Sequence, residues 1–199
     1  MTQLKTERLI LASASPRRIE MLKQLDLPLE VIPSGIDENG LDGEGPGEHV
    51  RRLAAQKAAR VAREHPDAWV IGADTIVFID GMILGKPDTP REAKAMLERL
   101  SGREHRVFTG YSVMKWATGR EITGVVESTV IFREIPEDEL AWYISSPEPY
   151  DKAGGYAVQG RGAFFIREIR GSYTNVMGLP LCEVIDSLKS LGAIHFPQS

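Results

Sequence analysis

Two charged residues stand where the surrounding pattern calls for apolar ones. Asp74 interrupts Ala68 to Ile79, the most apolar run in the chain. A carboxylate in a central strand costs on the order of several kcal/mol unless a cation or hydrogen-bond donors meet it. Lys57 lies within the helical stripe made by Val50, Leu53, Ala54 and Val61. A lysine there either snorkels outward along its methylene stem or reaches a buried anion. Each residue also has a plain structural reading: Asp74 as a strand-end residue bonded to backbone amides, Lys57 as a snorkelling side chain.

A third candidate is Ser13-Ala14-Ser15-Pro16-Arg17-Arg18. A tight loop entering a helix leaves free backbone N–H groups at the positive end of the helix dipole. Two hydroxyls and two guanidinium forks at that place suit a phosphate, although an N-capped helix with solvated arginines has the same residues. Lys86 enters through the hairpin signal Asp80-Gly81. A two-residue loop pairs Ile79 with Met82, Val77 with Leu84 and Thr75 with Lys86. Strict alternation sets Asp74 and Lys86 on opposite faces, unless Gly85 hosts a bulge and Pro87 ends the pairing.

Glu38, in Ile36-Asp37-Glu38, and Gln159, in the Gly-rich stretch from Asp151 to Gly162, are unremarkable singly. As a set, Arg17, Lys57 and Lys86 offer charge for phosphates, and Glu38 and Asp74 offer oxygens for a metal or a water. Phosphoryl chemistry needs little more than a divalent cation, fixed positive groups and a carboxylate to align or deprotonate water. There is no Walker-type Gly-rich loop, and the four histidines lack the paired spacing of a zinc hydrolase.

The elements that must position these groups read as alternating strands and helices. Arg8 to Ala12 is a strand, and Pro16 opens a helix with Ser15 as N-cap and Ile19, Leu22 and Leu25 inward. Leu29 to Pro33 is extended, and Ser34 to Gly47 is a long polar loop of the kind that often carries function. A helix spans Gly47 to Glu64, with Arg51, Arg52, Arg60 and Arg63 mainly off its apolar stripe as ordinary surface. The buried strand and its hairpin return, Met82 to Lys86, lead to a helix capped by Thr89-Pro90. Arg106 to Trp116 and Glu121 to Ile135 are long strands joined at Thr118-Gly119. Pro136 opens a short helix, Ala163 to Ile169 is another strand, and Leu181 to Leu191 is a closing helix. No linker or repeat divides the 199 residues, so the expectation is a single α/β domain over 1–199 with a mixed, twisted sheet.

Composition sets outer limits. Apolar residues make up 42% and charged residues 26%, the mixture of a globular chain. A net charge of −4 argues against broad binding to nucleic acid, so a polyanionic ligand needs a local cation cluster. One cysteine, Cys182, fits a reducing compartment. Met1 to Arg8 is polar and no apolar run approaches a membrane span, so the expectation is a cytoplasmic protein with no membrane partner.

The candidate residues lie in motifs that closely resemble the Maf family of nucleotide pyrophosphatases. These are Leu11 to Arg18, Ile36-Asp37-Glu38, Ala73-Asp74-Thr75, Gly85-Lys86-Pro87 and Asp151-Lys152-Ala153-Gly154-Gly155-Tyr156, with Gly171-Ser172-Tyr173, Asn175 and Gly178-Leu179-Pro180-Leu181 extending the match. Ala14 departs from the glycine common between the two serines, which tightens the loop without removing a reacting atom. The resemblance implies a fold akin to inosine triphosphate pyrophosphatases: a long mixed sheet flanked by helices, with two lobes around a cleft. It implies cleavage between the α and β phosphates with a divalent cation, Mg or Mn. Asp74 would be the proton acceptor, with an additional or alternative role as metal ligand. Glu38 would help bind the metal, Arg17, Lys57 and Lys86 would hold phosphates, Ser13 and Ser15 would shape the anion loop, and Ser13, Ser15 and Arg18 would join these cations in binding substrate.

Within the family the motifs resemble the branch acting on dTTP and UTP, with modified pyrimidine nucleotides as further substrates and Arg17, Thr75 and Gln159 as specificity positions. An amide such as Gln159 can meet a pyrimidine carbonyl and N–H together. Three alternatives stay open: the sister specificity for 7-methyl-GTP, an inosine-type house-cleaning enzyme, and a nucleotide-sensing regulator of cell division and septum formation. The resemblance further suggests a house-cleaning role and a homodimer.

Overall fold

The computed structural model describes residues 5–41 and 43–196. Residues 1–4 of the polar N-terminal stretch and Asp42 of the long loop lie outside them. In chain order the elements are β1 (Lys5–Thr6), β2 (Leu9–Leu11), α1 (Pro16–Lys23), β3 (Leu29–Val31), α2 (Pro46–Glu64), β4 (Trp69–Ile79), β5 (Met82–Leu84) and α3 (Pro90–Leu100). There follow β6 (Glu104–Lys115), β7 (Arg120–Phe132), α4 (Glu137–Ile144), β8 (Ile166–Arg170), α5 (Tyr173–Met177), α6 (Leu181–Ser190) and β9 (Ile194–His195). A seven-stranded sheet has the order β3-β2-β4-β6-β7-β8, with β5 on β4. It is mixed: β2 runs parallel to β3 and β4, while β5 pairs antiparallel with β4 and β8 with β7. The α/β class expected from the sequence is therefore observed. Among the described residues no helix is long and apolar enough to cross a membrane.

The chain forms two compact units. The first comprises Met1–Asp74, Thr109–Val125 and Gly178–Ser199, and the second Thr75–Phe108 and Val126–Met177.

In the first unit α2 carries the apolar stripe inward. Val50, Leu53, Ala54, Ala58 and Val61 are all buried, and part of this stripe packs with Ile10, Ala12 and Val70. The helix starts at Pro46, where the missing N–H costs nothing, and Glu48 Oε2 accepts the N–H of Gly45 at 3.2 Å. Two strand glycines set its height above the sheet. A Cβ on Gly72 would meet the Ala54 carbonyl oxygen at 2.2 Å, and one on Gly110 would meet that of Val50 at 2.1 Å. The α2 backbone thus lies directly on β4 and β6, an approach only glycine permits.

In the second unit the Asp80-Gly81 turn has the expected positive φ values, 53° and 76°, and the register Ile79↔Met82, Val77↔Leu84 is as anticipated. The ladder ends at Leu84, however, and does not reach Thr75 and Lys86. Just beyond it, the Gly85 carbonyl accepts the N–H of Gly154 at 2.9 Å. Thr89 caps α3 through its Oγ1, which accepts Glu92 N–H at 3.2 Å. The core joins Val77, Leu97, Val107, Phe132, Tyr143 and Phe165. Two further departures from the sequence reading appear here. Residues Arg161–Phe165 make a 3-10 turn before β8, and α5 is a short helix that no periodicity announced.

Candidate active site

Gly72 and Asp74 are two residues apart on β4, so they share one face of the strand. That face is the one against which Ala54 and Ala58 of α2 lie. Asp74 is therefore turned toward the same helix, where Lys57 occupies the adjoining position. Lys57 Nζ donates to Asp74 Oδ1 at 2.7 Å and meets Glu38 Oε1 at 2.6 Å. The lysine reaches a buried anion rather than snorkelling outward. Lys57 is 5% exposed and Asp74 6%, whereas the Glu38 side chain is 54% exposed. One ammonium thus holds two carboxylates, one from a strand and one from a loop. Their contacting oxygens are no farther apart than the two contacts laid end to end.

Arg18 frames the cluster from α1. Its Nε donates to the Gly178 carbonyl at 2.6 Å, and its Nη1 donates to the Ala73 carbonyl at 2.8 Å and to Ser13 Oγ at 3.3 Å. The bond to Ala73 fixes the backbone immediately before Asp74. Burial lowers the Arg18 pKa, and the charges of Asp74 and Glu38 oppose that shift. Ser13 Oγ also accepts the N–H of Ser15 at 3.2 Å, which tightens the loop ahead of the helix. Ser15 occupies the N-cap position of α1 but its hydroxyl makes no capping bond. Arg17 differs from its neighbour. It is half-buried, and its Nε is buried without a hydrogen-bond partner among the described residues. A buried guanidinium N–H left unpaired suits an anionic ligand. On α1, Arg18 and Met21 are buried with Leu22, while Ile19 is half-buried.

The loop bearing Glu38 is braced to α2 by residues the sequence reading passed over. Arg52, read there as ordinary surface, is half-buried and grips Glu44 with Nε at 2.5 Å and Nη2 at 2.7 Å. Its Nη2 also donates to the Asn39 carbonyl at 3.1 Å. His49 Nδ1 lies 3.0 Å from Glu44 Oε2. The Arg52 hydrogen bonds, with help from His49, hold the Glu44 carboxyl down to about 2. The only hint in the sequence was an acid eight residues before an arginine, a spacing that no helical rule selects.

Lys86, Thr75 and Gln159 belong to the second unit. Lys86 and Gln159 are exposed and Thr75 is half-buried. Gly154, at φ 70°, docks its N–H on the Gly85 carbonyl, and a Cβ there would meet Val77 at 3.0 Å. The Gly85-Lys86-Pro87 and Asp151–Tyr156 motifs are thereby tied together. His105 Nε2 and the Tyr156 hydroxyl are 2.8 Å apart, and burial pushes the His105 pKa down to about 3. Glu148 closes the far end of the loop by accepting from Arg161 N at 2.9 Å, Gly162 N at 2.8 Å and the Tyr143 hydroxyl at 3.0 Å.

Among the described residues no cluster of three or more His, Cys, Asp or Glu side chains exists to cage a metal. The pair Glu38 and Asp74 nevertheless fits a hard divalent cation. Mg²⁺ is commonly held by one or two carboxylates, with water and phosphate oxygens completing its shell.

A family model described as Maf-like protein matches residues 8–191. A Syntrophus aciditrophicus protein named dTTP/UTP pyrophosphatase is 63% identical, over 96% of this chain and 93% of its own. Proteins of the same name from Geotalea uraniireducens and Myxococcus xanthus are 47% and 49% identical, covering 98% and 92% of this chain and 100% and 92% of theirs. The Ham1 protein of Staphylococcus aureus, a solved structure, has a TM-score of 0.45 at 14% identity, over 63% of this chain and 72% of its own, a likeness too weak to bear on function. With a match spanning nearly its whole length, this chain belongs to the Maf-like protein family.

Proposed function

We propose that this chain hydrolyses nucleoside triphosphates, dTTP and UTP foremost, to the monophosphate and pyrophosphate. The observation that carries the reading is Lys57 shared between Glu38 and Asp74, in a chain 63% identical to a protein named dTTP/UTP pyrophosphatase. A divalent cation, Mg²⁺ or Mn²⁺, held by Glu38 and Asp74, would neutralise charge on the triphosphate. Asp74 accepts a proton from the water that attacks the α-phosphorus, and pyrophosphate leaves with the α–β bridging oxygen. Lys57 orients Asp74 through Oδ1. Arg17 and Lys86 bind phosphate oxygens, with Ser13 and Ser15 lining the anion loop. Arg18 both lends charge and fixes the Ala73 carbonyl. Arg17, Thr75 and Gln159 select the pyrimidine base.

A panel of UTP, dTTP, 7-methyl-GTP and ITP, each with Mn²⁺ or Mg²⁺ and scored separately for pyrophosphate and orthophosphate, tests this. The expected result is pyrophosphate, fastest from UTP and dTTP. Orthophosphate as the sole product would overturn the reaction, and preference for 7-methyl-GTP would overturn the substrate class.

A further inference from the structure

We infer that Arg52 is a positioning residue for Glu38, acting through a guanidinium brace that holds the Glu38 loop on α2. The inference rests on the reading of Glu38 as a metal-binding carboxylate. Glu38 is exposed and lies in the stretch between β3 and α2, which has no helix or strand among its described residues. Left to itself, such a segment has no reason to present one carboxylate to one buried ammonium, because ordering a chain segment costs conformational entropy at every residue. The brace supplies the reason. Arg52 grips the carbonyl of Asn39, the residue after Glu38, and with the same fork grips Glu44 farther along the loop. Glu44 Oε2 in turn accepts the N–H of Leu41 at 3.3 Å, and Asp37 Oδ1 accepts that of Asn39 at 3.1 Å. The fork is anchored on α2 five residues before Lys57, so both partners of the Glu38 contact are referred to one rigid helix. A bidentate fork suits this task better than a point charge, since two acceptors at different loop positions must be held at once.

The test combines kinetics with amide hydrogen exchange. For UTP with Mn²⁺, Arg52→Gln should raise the half-activating Mn²⁺ concentration about 10-fold, with Arg52→Lys intermediate because a lysine reaches one acceptor but not both. Glu38→Gln combined with Arg52→Gln should be no worse than Glu38→Gln alone, the signature of one residue working through the other. Amides of residues 37–41 should exchange about 10-fold faster in Arg52→Gln, while those of α3 keep their wild-type rates. If Arg52→Gln fails to fold, Glu44→Gln should give the same pattern. Unchanged exchange in the loop, or losses that multiply in the double variant, would overturn the positioning role. If the wild-type chain leaves UTP intact the proposed reaction falls, and the exchange data then decide the brace by themselves.

Discussion

The cluster around Lys57 and the glycine loop around Gly154 solve the same problem, holding polar groups still, with opposite materials. In the first unit, charge is met by charge: Lys57 by Asp74 and Glu38, and Arg52 by Glu44. In the second, Gly154 is held by a backbone hydrogen bond, Tyr156 by a neutral imidazole, and the loop end by backbone amides on Glu148. Buried ion pairs are costly to break singly, because the surviving partner is stranded. Backbone docking at a positive-φ glycine fails differently, through sterics and lost hydrogen bonds. The two regions should therefore respond in different ways to substitution, to cations and to acid.

The largest difference is expected from Lys57→Met. Buried Asp74 then loses its cation, at about 3–5 kcal/mol in urea unfolding, and added Mn²⁺ should recover part of the loss by binding the Glu38 and Asp74 carboxylates that the lysine no longer meets. No substitution in the glycine loop should respond to Mn²⁺ in that way, and equal recovery in Gly154→Ala would erase the distinction. Next in size is Gly72→Ala, about 3 kcal/mol, because its Cβ would collide with the α2 backbone. Gly154→Ala, which meets a side chain at 3.0 Å and strains φ, should cost about 1–2 kcal/mol.

Acid separates the regions by an amount comparable to that of Gly154→Ala. His105 is depressed from 6.5 to about 3, so between those values the unfolded chain binds the extra proton. Its stabilising neutrality is complete above pH 6.5 and is lost as pH falls toward 3, roughly 2 kcal/mol by pH 5. Glu44 is depressed from 4.5 to about 2, so its contribution is intact above pH 4.5 and is lost only as pH falls toward 2. Amide exchange followed from pH 7 to 4 should show the loop near Tyr156 opening before the Glu38 loop. The reverse order would contradict both assignments. The smallest effect is Tyr156→Phe, about 1 kcal/mol from the lost His105 contact, with turnover of UTP nearly unchanged.

The same contrast explains what could be read from the sequence. Lys57 and Asp74 were visible because each breaks an apolar pattern, and the hairpin register followed from Asp80-Gly81. The height of α2 was not, since Gly72 and Gly110 look like any glycine until a helix is laid on them. Arg17 and Arg18 are adjacent and chemically equal. Only the fold decides that Arg18 is spent on the Gly178 and Ala73 carbonyls and Ser13 Oγ while Arg17, among the described residues, keeps a buried N–H unpaired. Arg52 and Glu44 pair across a loop whose path no local rule fixes. The end of the hairpin ladder is equally non-local: beyond Leu84 the chain meets Gly154, distant in sequence, whose N–H bonds the Gly85 carbonyl.

The proposed role of Asp74 as acceptor of the attacking water's proton is tested by Asp74→Asn. The amide keeps the shape and a hydrogen-bond acceptor for Lys57 but cannot take the proton. Pyrophosphate release from UTP with saturating Mn²⁺ should fall by about 10²–10⁴-fold while the circular dichroism spectrum and UTP binding persist. A folded Asp74→Asn variant releasing pyrophosphate at near the wild-type rate would contradict the account.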